Sequence, residues 1–456
     1  MSHVPAMRGA SLRAPPAAVR PGPADAMAAR MDRLPVTRLH LAATALCALG
    51  FSFDLMEIAL GNVLSAVFSL PPHGASSTAL AWLLASVYIG AIFGAPLLGW
   101  CADRWGRRNT LVAVLAWVAL TSLAAAFSPG LLWLGLARGM AGLALGAYPP
   151  LMFAYLTDIL PPSRRGLLIF LTVAAGALGP PAGIFFVRAL SPDGWAGIEA
   201  WRWAFVAGAL GGAGVALALR RLPESPRWLA VQGRAAAAAE GYAAFARSPG
   251  VLAAAAGAEA PLPPAGGSAL RPSLLPVGLL YFLSPWSTVA FPLLIGAVLV
   301  DKGFRLADTL LFVGVSTFGL VFGSALSAAF VDKLQRRVAL GSCALALVAC
   351  ALVFALSQTP FWLMASATAF TLCAALYVPT LTLYGAEVFP TQTRARWSAL
   401  AWACNRLGAA LAPFVLLPLL RHVGAFEMSL VIAAVLLASL LVLWFCPRGY
   451  AGKPVR

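Results

Sequence analysis

The chain has 456 residues, of which 61% are hydrophobic and only 11% are charged, and its mean hydropathy is +0.85. Soluble domains carry about 25% charged residues, so this composition excludes a soluble protein and indicates a membrane protein. The net charge of +16 would suit a nucleic-acid-binding protein, but the positions of the basic residues argue against that partner.

Apolar stretches of about 20 residues recur along the chain, and each can cross a hydrocarbon core about 30 Å thick. We predict twelve spans, at residues 41–66, 78–101, 109–128, 131–157, 166–188, 202–220, 273–300, 306–330, 338–357, 360–386, 397–420 and 426–446. Of the 32 Lys and Arg residues, 25 lie on one side of these spans, five lie on the other side and two lie inside spans. This asymmetry predicts that both termini are cytoplasmic and that the basic residues attract anionic lipid. We therefore expect no nucleic-acid partner.

The chain divides into five segments. Residues 1–37 are rich in Pro, Ala and Arg, which predicts a disordered cytoplasmic tail. Two six-helix bundles, at 38–221 and 272–447, are joined by a cytoplasmic linker at 222–271, and residues 448–456 form a second tail. The predicted fold is an all-α membrane protein with twelve transmembrane helices in two pseudo-symmetric bundles. The Arg- and Ala-rich composition of the chain suggests a bacterial protein, so we expect it to lie in the cell inner membrane. We also expect it to be a monomer.

The first predicted span contains two acids, Asp54 and Glu57. They are three residues apart and share one face of the helix. A carboxylate at mid-membrane costs about 2.5–3.5 kcal/mol, so its default interpretation is a substrate or proton site. One of these acids could bind and release a proton near neutral pH. A purely structural role remains open if both acids pair with Arg.

A basic partner lies at the same depth. At 1.5 Å per residue, Asp54 and Arg138 both lie about 20 Å from the cytoplasmic face. Arg138 is followed at spacings of four by Gly142 and Gly146, which lets another helix approach closely. We predict that Arg138 faces the first span and senses Asp54 or Glu57.

A basic loop between the second and third spans has a second copy. Asp103 to Arg108 aligns without a gap with Asp332 to Arg337, an offset of 229 residues. The same offset relates further pairs: Gly90 with Gly319, Gly94 with Gly323, Tyr148 with Tyr377, Tyr155 with Tyr384, Asp158 with Glu387, and Arg165 with Arg394. The chain is therefore two copies of one membrane unit, which points to a transporter.

Other polar and aromatic residues inside the spans are candidates for contact with a substrate. The seventh span is interrupted at Ser284-Pro285-Trp286, and a helix broken by Pro in the membrane leaves backbone groups free to line a cavity. Arg406 has no acid on its own helix, so it suggests either an anionic ligand or a carboxylate from another helix. The candidate substrate-binding residues are Tyr148, Trp286, Tyr377, Asn405 and Arg406.

The four His and seven Cys residues show no spacing typical of metal ligands, disulfides or nucleophilic catalysis. We therefore expect no catalytic residues, no metal and no cofactor, and a protein that is not an enzyme.

On these motifs, the chain resembles the major facilitator superfamily from about residue 38 to 447. The charged residues at the helix ends resemble the intracellular charge network of the sugar porters and related metabolite:proton symporters. The resemblance implies a cytoplasmic gate made by Asp103, Arg107, Arg108, Asp158, Arg165, Glu224, Arg227, Asp332, Arg336, Arg337, Glu387 and Arg394. Phe53-Asp54-Leu55 looks more like the aromatic-acid:proton symporters and the niacin-transporter relatives, which implies proton-coupled uptake.

We therefore expect a secondary active transporter that takes up a small organic solute, an organic or aromatic acid, together with protons by alternating access. In this hypothesis Asp54, Glu57 and Arg138 couple the proton. Two alternatives stay open. The fold would equally serve a sugar:proton symporter, although the seventh span lacks a set of Gln and Asn residues for hydroxyl groups. The Gly-Pro pair of the fifth span partly resembles the antiporter signature, so a drug or metabolite:proton antiporter that exports its substrate is the other alternative.

Overall fold

The fold is described from a computed structural model of the chain. The described residues are 23–191, 194–252, 274–330, 335–388 and 394–446. The predicted C-terminal tail at 448–456, most of the N-terminal tail and the middle of the linker lie outside them.

The first half contains six membrane-spanning helical segments, two of which are divided. They comprise α2 (Arg38–Val67), α3 (Ser77–Trp105), α4 (Arg107–Ala126), α5 (Leu131–Leu145) with α6 (Tyr148–Ile159), α7 (Pro162–Gly176) with α8 (Gly179–Leu190), and α9 (Ala200–Leu219). A short helix, α1 (Pro23–Asp32), and a strand, β1 (Val36–Thr37), precede them. The linker contributes α10 (Pro226–Val231), α11 (Ala235–Arg247) and a strand, β2 (Gly250–Leu252).

The second half repeats this order. It comprises α12 (Leu274–Leu283), α13 (Pro285–Thr288) and α14 (Ala290–Asp301), then α15 (Leu306–Phe330), α16 (Arg336–Leu356), α17 (Pro360–Val388), α18 (Arg394–His422) and α19 (Ala425–Phe445). Within the described residues, twelve helical segments are long and apolar enough to cross a membrane. The predicted fold class is therefore confirmed.

The divided segments break where the sequence supplies Pro. Helices α6 and α8 carry Pro in their first two positions, and α13 begins at Pro285. Pro has no N–H to donate to the preceding turn, so it fits the start of a helix and interrupts the interior of one. The break before α13 is the one predicted in the seventh span.

The internal repeat is visible in how helices pack. A Cβ on Gly90 of α3 would overlap the carbonyl oxygen of Gly139 in α5, and a Cβ on Gly319 of α15 would overlap that of Thr368 in α17. Gly139 and Thr368 are themselves 229 positions apart. One turn further along, the same relation joins Gly94 to Leu143 and Gly323 to Leu372. Matched glycines thus let matched pairs of helices approach closely in both halves.

We call the face that carries β1 and Glu224 the basic face, and the opposite one the far face. The two halves are joined at the far face. The side chain of Arg188 donates to the Ala307 carbonyl at 3.1 Å, and Arg421 donates to the Ala75 carbonyl at 2.6 Å. Helix α2 also packs on α14, α8 on α15 and α3 on α18. The far face is therefore closed.

The structure differs from the prediction of disorder over residues 23–37. Helix α1 packs on α10, and β1 pairs antiparallel with β2 of the linker. Met27 and Met31 are buried, with Met27 beside Trp228 and Leu229. The composition of the segment suggested disorder because its few apolar residues cannot form a core alone, but the linker supplies the partner surface.

Candidate functional site

Both acids of α2 are buried at the centre of the membrane-spanning region. Asp54 is 2% exposed and Glu57 is 1% exposed. Burying a carboxylate costs several kcal/mol unless it is paired or protonated, so the surroundings of each acid indicate its role.

Glu57 is fully paired. Arg138 of α5 donates from one nitrogen to the Glu57 carboxylate at 3.2 Å and to its backbone carbonyl at 2.7 Å. Ser122 of α4 donates to the other carboxylate oxygen at 3.1 Å. Arg138 also lies over the ring of Phe205, 5.6 Å from its centre. Of the two acids predicted as partners of Arg138, the structure places it on Glu57, in an ion pair that joins α2 to α5.

Asp54 has different surroundings. Neither of its carboxylate oxygens has a hydrogen-bond partner among the described residues. Its strongest charge interaction is with Arg406 of α18, in the second half of the chain, followed by Glu57. Asp54 and Arg406 form no ion pair within 4 Å, so this acid of one half and this base of the other interact only at longer range. A carboxylate in this position can hold a proton without breaking any hydrogen bond.

Tyr88 of α3 completes the centre, and the sequence analysis missed it. It is 4% exposed and interacts electrostatically with both Arg406 and Arg138. Tyr88 therefore lies within electrostatic range of both arginines. The available signal was a single Tyr in the middle of an apolar helix, close to Gly90.

Arg406 is accompanied by aromatic rings. Its guanidinium lies 5.7 Å from the ring centre of Trp402, one turn away on α18. Trp402 packs edge-on against Tyr281 of α12, with ring centres 5.6 Å apart. The sequence analysis also missed Trp402. A flat anion bound to Arg406 would find an aromatic wall beside it.

Two more of the predicted substrate residues lie at the break in the seventh span. Asn405 donates both N–H groups of its amide, to the Tyr281 carbonyl at 3.2 Å and to the Ser284 hydroxyl at 2.9 Å. It therefore stabilises the broken helix. The indole N–H of Trp286 is buried and has no partner among the described residues. Trp286 is thus free to donate a hydrogen bond to a substrate.

Tyr148 and Tyr377 are placed in helix packing. The Tyr148 hydroxyl donates to the Cys47 carbonyl at 3.0 Å, and its ring is stacked parallel to Phe51. Tyr377 is 2% exposed and interacts with Ser439 of α19. Neither geometry offers a free hydroxyl to a substrate, so their predicted role has no support in the contacts.

The predicted gate residues of the first half lie together on the basic face. Glu224 accepts hydrogen bonds from the backbone N–H groups of Arg108 and Asn109, at 2.9 and 3.2 Å. This contact needs Gly106, which has φ of +106° and whose added Cβ would overlap the Glu224 carboxylate. The Arg108 side chain donates to the Leu222 carbonyl at 2.6 Å. Glu224 therefore fixes the basic loop to the linker.

The remaining charges of this cluster pair through Arg107 and Asp158. Arg107 pairs with Asp103 one turn before it, and lies 3.9 Å from Asp158. Asp158 accepts a hydrogen bond from the Ser225 hydroxyl at 2.9 Å. The Trp228 indole donates to the Asp103 carbonyl at 3.1 Å.

Two predicted gate arginines share a partner that the sequence analysis missed. Asp32, at the end of α1, lies 3.5 Å from Arg165 and also pairs with Arg227. It was missed because the segment was predicted to be disordered. The two ion pairs of Asp32 thus join the N-terminal segment to the first half and to the linker.

The gate residues of the second half are described only in part. Arg336 is buried, and Arg337 donates to the Trp444 carbonyl at 2.9 Å. Asp332 lies outside the described residues, as do the side chains of Glu387 and Arg394.

Comparisons with known proteins agree with this fold. A family model described as Major Facilitator Superfamily matches residues 41–413 and 277–455. The chain is 26% identical over 442 residues to the niacin transporter NiaP of Acinetobacter baylyi, covering 94% of this chain and 98% of that protein. It is 26% identical over 458 residues to the inner membrane metabolite transport protein YdjE of Escherichia coli K12, covering 92% and 95%. The solved structure of the xylose transporter XylE from E. coli superposes with a TM-score of 0.71 at 20% identity, over 91% of this chain and 98% of that one.

Proposed function

The chain belongs to the Major Facilitator Superfamily, as a membrane transporter of small molecules, and from this premise we propose that it takes up a small organic acid together with a proton. The observation that carries the proposal is the pair of Asp54 and Arg406. Asp54 is a buried acid whose carboxylate has no hydrogen-bond partner in the described part of the chain, and it lies within electrostatic range of an arginine of the opposite half.

Counting the buried charges explains why a proton and an anion would bind together. The buried Asp54 and Glu57 balance the buried Arg138 and the half-buried Arg406, so the centre is neutral when all four are ionised. An anion that binds Arg406 adds one uncompensated negative charge, which is costly in a low-dielectric site. Protonation of Asp54 removes that charge and frees Arg406 for the anion. The two ligands therefore favour each other's binding, which is what symport requires.

The roles of the two acids differ in this proposal. Glu57 keeps its ion pair with Arg138 and holds α2 on α5, whereas Asp54 carries the proton. Arg406 binds the carboxylate of the substrate, and Trp286 and Trp402 contact its apolar part. A flat aromatic or heteroaromatic acid fits this combination of one cation and several rings.

Alternating access follows from where the halves meet. The far face is held by Arg188 and Arg421, and we propose that this face is external and the basic face cytoplasmic. To open outward, the far-face contacts must break and the basic face must close. We propose that Asp332, Glu387 and Arg394 then contribute to the charge cluster already formed by Asp103, Arg107 and Glu224. Individual exposed pairs are worth about 0–1 kcal/mol, but several together can bias a two-state equilibrium.

A sugar:proton symporter is the second candidate, since the solved neighbour XylE is a xylose transporter. A neutral sugar would need several free donors and acceptors. Asn405, one of the buried amides of the membrane-spanning region, already donates both of its N–H groups to the broken helix. The geometry therefore favours the acid.

Transport by purified protein in liposomes tests the proposal. A thermal-shift screen of organic acids, aromatic acids and sugars first identifies a ligand. That ligand is then offered to liposomes with an acidic exterior. We expect an organic acid to accumulate inside, and its uptake to need the pH gradient. Sugar accumulation would support the second candidate, and export of the ligand against its gradient would show an antiporter.

A further inference from the structure

A cavity of about 260 Å³ opens on the far face of the first half, away from the central site. Its walls come from the loop after α2, from the loop before α5 and from the start of α9. Aromatic rings from Phe68 and Trp201 line it, together with the polar side chains of His73 and Arg202. Since liquid water occupies about 30 Å³ per molecule, this volume suits a ligand of about nine non-hydrogen atoms.

The polar groups of the cavity are held in place by their neighbours. Arg202 donates from one nitrogen to the carbonyls of Ala126 and Ser128, at 2.7 and 2.9 Å. Its Nε donates to Glu199 at 3.1 Å, and the other oxygen of Glu199 lies 2.6 Å from the His73 ring. The Arg202 side chain is thus fixed from two sides, and its Nη2 group remains available.

A second observation points to a ligand. Trp201 is 2% exposed, and its indole N–H has no hydrogen-bond partner among the described residues. A buried donor left without an acceptor costs about 1–3 kcal/mol, so such groups in native structures call for an explanation. A ligand that accepts this hydrogen bond would supply one.

The internal repeat shows that the cavity is a specific feature of the first half. At the equivalent positions 229 residues later, His73 is replaced by Lys302 and Ala75 by Phe304. The Lys302 ammonium donates to the carbonyls of Ala355 and Ser357, at 2.8 and 2.9 Å.

Those two carbonyls are the equivalents of the ones that Arg202 binds in the first half. In the second half, therefore, the loop itself supplies the cation, and a large ring stands where the first half has a methyl group. In the first half the cation is Arg202 of α9, and the small Ala75 of the loop after α2 leaves room for the cavity.

We propose that this cavity binds a small planar organic anion, such as an aromatic carboxylate, independently of the central site. The carboxylate would accept hydrogen bonds from Arg202 and Trp201, and the ring would lie against Phe68, beside the Arg202 guanidinium that itself covers the Trp201 ring at 4.3 Å. Charge-assisted hydrogen bonds from Arg to carboxylate and aromatic stacking are the interactions that such a ligand needs.

Binding there would also act on the contact between the halves. Ala75 lines the cavity, and its carbonyl accepts the hydrogen bond from Arg421 of α18. A ligand that fills the cavity holds this loop in the conformation that meets Arg421. The occupied cavity would therefore favour the closed far face.

Binding of radiolabelled benzoate, measured by equilibrium dialysis, tests the proposal. The protein is used as the full chain with the Arg406→Gln substitution, which removes the central anion site. We expect one benzoate bound per chain. Ala75→Phe, which copies the residue of the second half, should weaken binding at least about tenfold, and Trp201→Phe should weaken it about threefold to tenfold by removing one hydrogen bond. Phe304→Ala is the matched control in the other half and should leave binding unchanged.

Three results would overturn the proposal: no benzoate binding in the Arg406→Gln protein, binding that Ala75→Phe does not weaken, or binding that Phe304→Ala weakens equally. The measurement is repeated in nanodiscs with and without phosphatidylglycerol. Displacement by this lipid would reassign the cavity to a lipid headgroup and likewise reject a solute. Transport through the central site is measured separately, so its failure leaves the result for the cavity intact.

Discussion

Replacing Asp54 by Asn separates the proton from the substrate. One pH unit across the membrane is worth about 1.4 kcal/mol, so co-transport of one proton with each monovalent acid anion supports about tenfold accumulation. The variant has no acid at this position to carry the proton, and the expected accumulation ratio in liposomes falls to about one. Exchange of labelled for unlabelled substrate, which needs no net proton movement, should continue.

The same substitution should tighten anion binding at high pH. In the wild type, ionised Asp54 competes with the substrate for Arg406. For charges about 8 Å apart at an effective dielectric constant of about 20, the repulsion between Asp54 and a bound anion is about 2 kcal/mol. Its removal predicts roughly 30-fold tighter binding than the ionised wild type and an affinity that no longer depends on pH. Titration of the purified variant by calorimetry at several pH values measures both effects.

Asp54→Glu is the control, because it keeps a titratable acid at the same position and should retain accumulation driven by the pH gradient. Unchanged accumulation in Asp54→Asn would refute the assignment of the proton to this residue. A substrate affinity that still varied with pH in Asp54→Asn would show that another group titrates.

Three further predictions concern stability and the basic face. Arg138→Met leaves the Glu57 carboxylate buried without its arginine partner, which should reduce the free energy of unfolding by about 3–5 kcal/mol. We therefore expect a lower thermal unfolding temperature in detergent. The double substitution with Glu57→Gln should recover most of the loss. Gly106→Ala forces a Cβ into the Glu224 carboxylate at a positive φ, so we expect slower transport, and Glu224→Gln without the Gly change should be milder. Asp32→Asn removes the shared partner of two gate arginines, and faster proteolysis of the N-terminal segment, followed by mass spectrometry, should show that α1 is released.

The sequence predicted the fold because its signals are local. Each span is recognisable from its own length and hydropathy, and the break at Pro285 follows from the missing N–H of that residue. The duplicated glycines identified the internal repeat, and the contacts of Gly90 and Gly319 show that matched helices approach closely in both halves. Residue counts placed Asp54 level with Arg138, and Glu57, the observed partner, lies one turn away on the same face of the helix.

The rest of the site depends on contacts between distant segments. Asp54 faces Arg406 only because the two halves meet across the centre, and residue counts within one half do not reveal that arrangement. The order of residues 23–37 was missed for a similar reason, since Met27 is buried by the linker. Composition and residue counts describe each segment alone, whereas the interaction of Asp54 with Arg406 and the order of residues 23–37 each depend on contacts between two segments.

Comparison of the two halves explains why the proposed proton carrier lies in one half of the chain and the proposed anion-binding arginine in the other. The repeat keeps the glycine contacts that set helix spacing but not the charges of the centre. The counterparts of Asp54 and Glu57 are Leu283 and Trp286, and the counterpart of Arg406 is Ala177. One half therefore provides the acids and the other provides the free arginine, so the charge interaction at the centre joins the halves. In a duplicated protein with identical halves, two equivalent acid–arginine pairs would form, and no single carboxylate would be distinguished as the proton carrier.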